Sequence, residues 1–146
     1  MKETEFRVEV ERVSGYDFIV RFKDGMESVM MSEPKPLGSG EHPHAGHMLA
    51  AALGHCMSAS LLFCFERSRV EAGHMKAEIL TKVERNEGGR LRFTKIRLKL
   101  EPEVDDLERA KRCIAVFEDY CIVTQSVREG IDIEVEVIPS SRGSDR

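Results

Sequence analysis

Four cysteines and five histidines are the side chains of this 146-residue chain best suited to chemistry. A cysteine peroxidase needs one thiolate to attack a peroxide oxygen, becoming a sulfenic acid, and a second thiol within reach to resolve that acid as a disulfide. Cys56, inside a long apolar segment, and Cys121, at the end of a second helical pattern, are placed to meet in a core, leaving Cys64 and Cys113 as a surplus pair. Cysteine also packs as a small, frequently buried hydrophobe, so each of the four has a structural reading beside the chemical one. His42, His44, His47, His55 and Cys56 cluster along the chain and are ligand types that suit zinc or copper. The spacing is poor for it, because at about 100° per residue His47 and Cys56 point to opposite sides of one helix, and no paired C-x-x-C occurs. No metal site is assigned, and His42 and His44 read as residues of an exposed loop.

These residues need elements to position them. Phe6, Val8 and Val10 alternate with charged neighbours, and Phe18 to Phe22 resumes after Ser14-Gly15-Tyr16-Asp17, which predicts a β-hairpin. A third strand is expected over Glu27–Met31, before a loop with three prolines and two glycines from Glu33 to His44. Met48 to Phe65 is apolar almost all round and rich in helix formers. Its length approaches the ~20 residues of a membrane span, but its small residues, His and Ser predict a central helix buried on most sides. Met75–Glu84 and Leu91–Leu100 read as a second hairpin around Asn86-Glu87-Gly88-Gly89. Asp105 and Glu108 suggest a capping box for a second helix, with Leu107, Ala110, Ile114, Phe117 and Cys121 facing inward. Strict alternation over Ile131–Val137 predicts a closing strand, and 140–146 a disordered tail.

The order β-β-β-α-β-β-α-β argues for an α+β fold with mostly antiparallel sheets, as one domain over 1–139. Net charge is −4, from 22 basic and 26 acidic residues with interspersed signs, which removes the footprint of a nucleic-acid binder. There is no glycine-rich phosphate loop between a strand and a helix. Neither a nucleic acid nor a membrane is expected as partner, and no cofactor is implied. Met1-Lys-Glu-Thr-Glu-Phe6 runs straight into a strand pattern, so a cytoplasmic location is expected. Thiols there are kept reduced, and a disulfide would be transient and catalytic rather than structural.

Leu49-Ala-Ala-Ala-Leu-Gly-His-Cys56 resembles the helix that carries the first cysteine in OsmC/Ohr proteins, and Tyr120-Cys-Ile-Val-Thr-Gln-Ser-Val127 resembles that family's Cys-Pro-Val-Ser segment, with Ile122 in place of proline. The resemblance implies an intertwined homodimer whose central helices are buried between two sheets. It also implies reduction of organic hydroperoxides, with Cys56 attacking, Cys121 resolving and a dithiol reductant restoring the pair. Peroxidase members hold an Arg of the N-terminal hairpin against the thiolate by means of a Glu at the start of the central helix. Here the matching run is His44-Ala45-Gly46-His47-Met48, which has no Glu, and the hairpin turn has no Arg. His47, Arg12 and Arg21 are the candidate substitutes for thiolate activation or substrate binding. An alternative is an OsmC-like binding domain that keeps the fold and an apolar pocket without efficient peroxidase activity.

Overall fold

In the computed structural model, which describes residues 4–143, the N-terminal alternation forms β1 (Glu9–Ser14) and β2 (Asp17–Arg21) as an antiparallel hairpin. Strand β3 (Val29–Met31) pairs with the far edge of β2. The proline-rich loop that follows is tied back by a Ser32 amide to Pro43 carbonyl bond of 3.1 Å and by the Ser39 hydroxyl, which donates to Asp17 at 3.3 Å. It delivers His44 as the N-cap of α1 (Ala45–Arg67). His44 Nδ1 accepts from the Gly46 and His47 amides at 3.0 and 3.3 Å. His47 Nδ1 in turn accepts from the His44 amide at 3.3 Å. This is a capping box built from two imidazoles, which satisfies helix-start amides that would otherwise have no partner. The helix therefore starts before the predicted Met48, and His44 is half-buried rather than exposed.

Strands β4 (Ala72–Arg85) and β5 (Leu91–Val104) form a long antiparallel ribbon. Its turn is closed by the Gly89 amide on the Asn86 carbonyl at 2.9 Å, with Gly89 at a φ of 76° that a side chain would resist. Ile96, Leu98 and Leu100 lie on its half-buried face, as their alternation predicts. The helix α1 packs on β4 closely enough that a Cβ at Gly54 would stand 2.5 Å from Ile79 Cδ1.

The next segment departs from expectation in several ways. Asp106, accepting from the Arg109 amide at 3.1 Å, caps α2 (Leu107–Val116). Asp105 instead accepts from the Glu71 amide at 2.9 Å, tying the start of β4 to the end of β5, so the anticipated capping box does not form and a single Asp106 cap takes its place. Ala110, Cys113, Phe117 and Cys121 face inward, while Leu107 and Ile114, expected to do so, are exposed. The helix tightens into a 3-10 turn, η1 (Phe117–Tyr120), and Cys121 adopts extended backbone at φ −80° and ψ 105° before a third helix, α3 (Ile122–Glu129), that periodicity did not reveal. The closing strand does not form within one chain: Ile131, Ile133, Val135 and Val137 are exposed and outside any strand. The tail expected over 140–146 lies outside the described residues from 144 onward, and 140–143 hold neither helix nor strand. The α+β class with antiparallel sheets holds; its last element is a helix.

The core is the seam between α1 and the α2–η1 segment: Met57, Leu61 and Phe65 against Val70, Ala110, Cys113, Phe117 and Cys121. The opposite side of α1, with Ala51, His55, Ala59, Leu62 and Phe63, is exposed, so one chain does not bury the helix on most sides as expected. The helix is long and apolar enough to cross a membrane by length and composition, but here it is the core helix of the fold. Phe65 is fully buried, and Phe65→Ala should cost about 3–5 kcal/mol. The expected result in urea is a lowered unfolding midpoint with an unchanged slope.

Candidate active site: a dithiol between two helices

Cys56 sits midway along α1 on the side turned to η1 and α3, half-buried, and Cys121 is fully buried at the junction of those two elements. Their sulfurs are 2.9 Å apart and share an S–H···S hydrogen bond. The pair singled out in the sequence is therefore brought together, close enough for a disulfide to form with small side-chain movements. The Thr124 hydroxyl, itself buried, lies 3.1 Å from Cys121 Sγ. Because Cys121 is the N-cap of α3, the first turn of that helix lies over both sulfurs.

The two thiols differ in acidity. Burial pushes Cys56 up first and the hydrogen bond to Cys121 next; the Val123 amide pulls it down by more than the charge of an ionised Cys121 pushes it up, the Ser60 hydroxyl lowers it slightly, and the net direction is upward. Burial also opposes ionisation of Cys121, but hydrogen bonds from Cys56, the Thr124 hydroxyl and amide, and Ser60 outweigh it and hold Cys121 below the ordinary thiol value. The Thr124 amide belongs to the first turn of α3, where the N–H dipoles point toward an anion at Cys121. Of the two, Cys121 is the more acidic thiol. A guanidinium or imidazole is not among the groups that set either acidity.

The remaining candidates lie elsewhere in the chain. Arg12 donates to the Gly15 carbonyl at 2.8 Å, and Arg21 is ion-paired with Glu11 at 3.2 Å, both on the exposed first hairpin. His47 is at the start of α1, its ring stacked on His44 at 3.8 Å and nine residues, or about 13 Å of helix rise, from Cys56. Among the described residues no three His, Cys, Asp or Glu side chains gather as a metal site. Cys64 and Cys113, left as packing residues by the sequence, are joined in a disulfide with Cα atoms 5.6 Å apart. Thr124, Ser60 and the α3 N-terminus escaped the sequence reading. The available signal was spacing: Cys56, Ser60 and Cys64 recur every four residues on α1, as do Cys113, Phe117 and Cys121 on the facing segment.

Cys56 forms part of the wall of an open cavity of about 600 Å³ whose other walls are Ala52, Ala59, Phe63, Tyr120, Ile122 and Val123, with His55 and Ser60 at its polar points. An apolar molecule with one polar, reactive end fits such a lining. The accessible sulfur is that of Cys56; the acidic one lies behind it. Thr124→Val is expected to raise the pH at which the first thiol of the pair ionises. Cys121→Ala is expected to lower the Cys56 value toward that of an ordinary thiol, since both contributions Cys121 makes to it disappear. Far-ultraviolet thiolate absorbance against pH, with Cys64 and Cys113 left bonded, reads both shifts.

The fold compares closely with solved structures. An OsmC-like protein of unknown function from Vibrio cholerae superposes with a TM-score of 0.74 at 16% identity, over 84% of this chain and 93% of that one. An OsmC-like protein from Mycoplasma pneumoniae gives 0.74 at 12% identity, over 87% and 89%. An organic hydroperoxide resistance protein from Elizabethkingia anophelis, with thiocyanate bound, gives 0.67 at 16% identity, over 87% and 91%. At these identities the likeness is one of fold. No curated protein matches the chain in sequence. The family model of OsmC-like proteins matches residues 38–136, a span that takes in α1, both cysteines of the open pair and α3, and the chain belongs to that family.

Proposed function

We propose that this chain is a thiol-dependent peroxidase that reduces organic hydroperoxides through Cys56 and Cys121. The observation that carries the reading is the 2.9 Å sulfur pair opening, through Cys56, onto an apolar cavity. The proton of Cys56 passes along the S–H···S contact to Cys121, and the Cys56 thiolate attacks the terminal peroxide oxygen. The O–O bond breaks as the S–O bond forms, and the departing alkoxide takes the proton back from Cys121 to leave as the alcohol. Cys121, again a thiolate, attacks the Cys56 sulfenic acid; the S–S bond forms as the S–O bond breaks, and the departing hydroxide takes a proton from solvent to become water. A dithiol reductant returns the disulfide to two thiols and is itself oxidised. The apolar cavity favours an organic hydroperoxide over hydrogen peroxide, since the former brings apolar surface to bury.

The functional unit in this proposal is a homodimer. The exposed stripe of α1 and the alternating apolar residues 131–138, exposed here, would be covered by a second copy. Any contribution of Arg12, Arg21 or His47 to Cys56 would come across that interface. Sedimentation velocity is expected to give a dimer at micromolar concentration, and a monomer there would defeat this part of the proposal.

Stopped-flow loss of thiols with an organic hydroperoxide tests the reaction. Wild type is expected to lose both thiols of the pair rapidly, Cys56→Ser neither, and Cys121→Ser one, held as a sulfenic acid that a dimedone-type probe traps. A wild-type rate no greater than that of free cysteine would return the chain to the reading of an OsmC-like binding domain.

A further inference from the structure

The Cys56–Cys121 pair has a counterpart in the same seam. Eight residues separate Cys56 from Cys64 along α1, and eight separate Cys113 from Cys121 along the facing segment in the opposite direction. An antiparallel packing that sets Cys56 against Cys121 therefore also sets Cys64 against Cys113, about 12 Å away by helix rise, and there the bond is closed. At that distance the two pairs do not exchange directly. What links them is the segment that carries both Cys113 and Cys121. Of α2 only Ala110 and Cys113 are buried, so the bond from Cys113 to Cys64 is a large part of what docks this helix on α1. The helix runs through four residues of η1 straight into Cys121.

The chemistry of the second pair is asymmetric. Cys64 is half-buried, whereas Cys113 is fully buried with the Ser68 hydroxyl 3.4 Å from its sulfur. An incoming thiolate meets Cys64 first, and Cys113 then departs as a thiolate to which Ser68 donates a hydrogen bond, which favours cleavage in that sense. The sulfur released is the one that anchors α2.

We propose that Cys64 and Cys113 are a second redox site, opened and closed by thiol–disulfide exchange with a small dithiol and its oxidised form, and that the closed bond holds Cys121 in register against Cys56. On opening, the dithiol attacks Cys64, a mixed disulfide forms there and Cys113 takes up a proton. The second thiol of the reductant then displaces Cys64, leaving two protein thiols and one oxidised reductant. Closing is the reverse. The inference deepens the peroxidase reading in giving its thiol pair a regulator, but its test involves no peroxide.

The experiment has two parts on the full chain. In Cys56→Ser/Cys121→Ser, which isolates the second pair, native protein is equilibrated over a series of dithiothreitol ratios, reduced to oxidised, and quenched with a maleimide mass tag. A single transition between no tag and two tags is expected; a pair that stays untagged until the protein is denatured would overturn the proposal by showing an inert staple. In the second part diamide, which takes two hydrogens from a dithiol, closes Cys56–Cys121 in wild type with the second bond formed and in Cys64→Ala/Cys113→Val. Loss of the clasp should slow closure at least about tenfold, as expected when an intramolecular partner is no longer held in place. Wild type opened with dithiothreitol and freed of it should show the same slowing, which guards against a variant that folds poorly. Equal rates with the bond open and closed would sink the idea. If diamide closure follows the clasp while hydroperoxide gives no reaction, the regulator stands and the peroxidase reading alone fails.

Discussion

The thiol pair depends on one packing contact: the Ala110, Cys113, Phe117 and Cys121 face laid along the Met57, Leu61 and Phe65 side of α1. It brings residue 121 to residue 56 across 65 positions of sequence. The contact is apolar, and its geometry is set by small constraints at its edges. Gly54 lets α1 lie close on β4, the His44 and His47 capping box sets where α1 begins, and Asp106 sets where α2 begins. The same burial that makes the seam stable makes charge in it costly, so a thiolate there needs dipoles aimed at it.

The N-terminus of α3 supplies them. A helix of one continuous period through Cys121 would have presented its C-terminal carbonyls to the sulfurs, the wrong end for an anion. The break at η1 and the extended backbone of Cys121 turn the chain so that a new first turn begins there, and Val123 and Thr124 offer their amides to the two sulfurs. This arrangement accounts for an acidic thiol without a guanidinium, but it places the acidity on Cys121, the buried partner. In the proposed mechanism the accessible Cys56 becomes nucleophilic by passing its proton on, so the two sulfurs would work as a single titrating unit with shared protons.

Much of this was legible from residue order. The hairpins, the central helix and the meeting of Cys56 with Cys121 follow from alternation, apolar length and family likeness. The misreadings have physical causes. Hydrophobicity alone points Leu107 and Ile114 inward, but the close approach of α2 to α1 selects the small face of Ala110 and Cys113 instead. The α3 start was hidden because Ile122 stands where the family segment has proline, a residue that would have flagged a first helical position. The imidazole capping box was hidden because the usual signature has a hydroxyl and a carboxylate at those positions. No spacing rule pairs Cys64 with Cys113; only the antiparallel register of the seam does.

In the proposed dimer the unformed strand at 131–137 and the bare stripe of α1 share one cause. Alternation is a statement about two faces, one of which must be covered, and it does not say by which chain. In one copy the seam of α1 is filled by α2 and η1, while Leu62 and Phe63 of the opposite side and Ile131, Ile133, Val135 and Val137 stay exposed. A second copy related by a two-fold axis brings an identical stripe and an identical strand, the self-complementary pair of surfaces that such symmetry requires. In the proposed dimer the cavity beside Cys56, open in one chain, would be walled by the partner. Removing water from that space would strengthen the hold of the α3 dipoles on the thiolate, so assembly and reactivity would rise together.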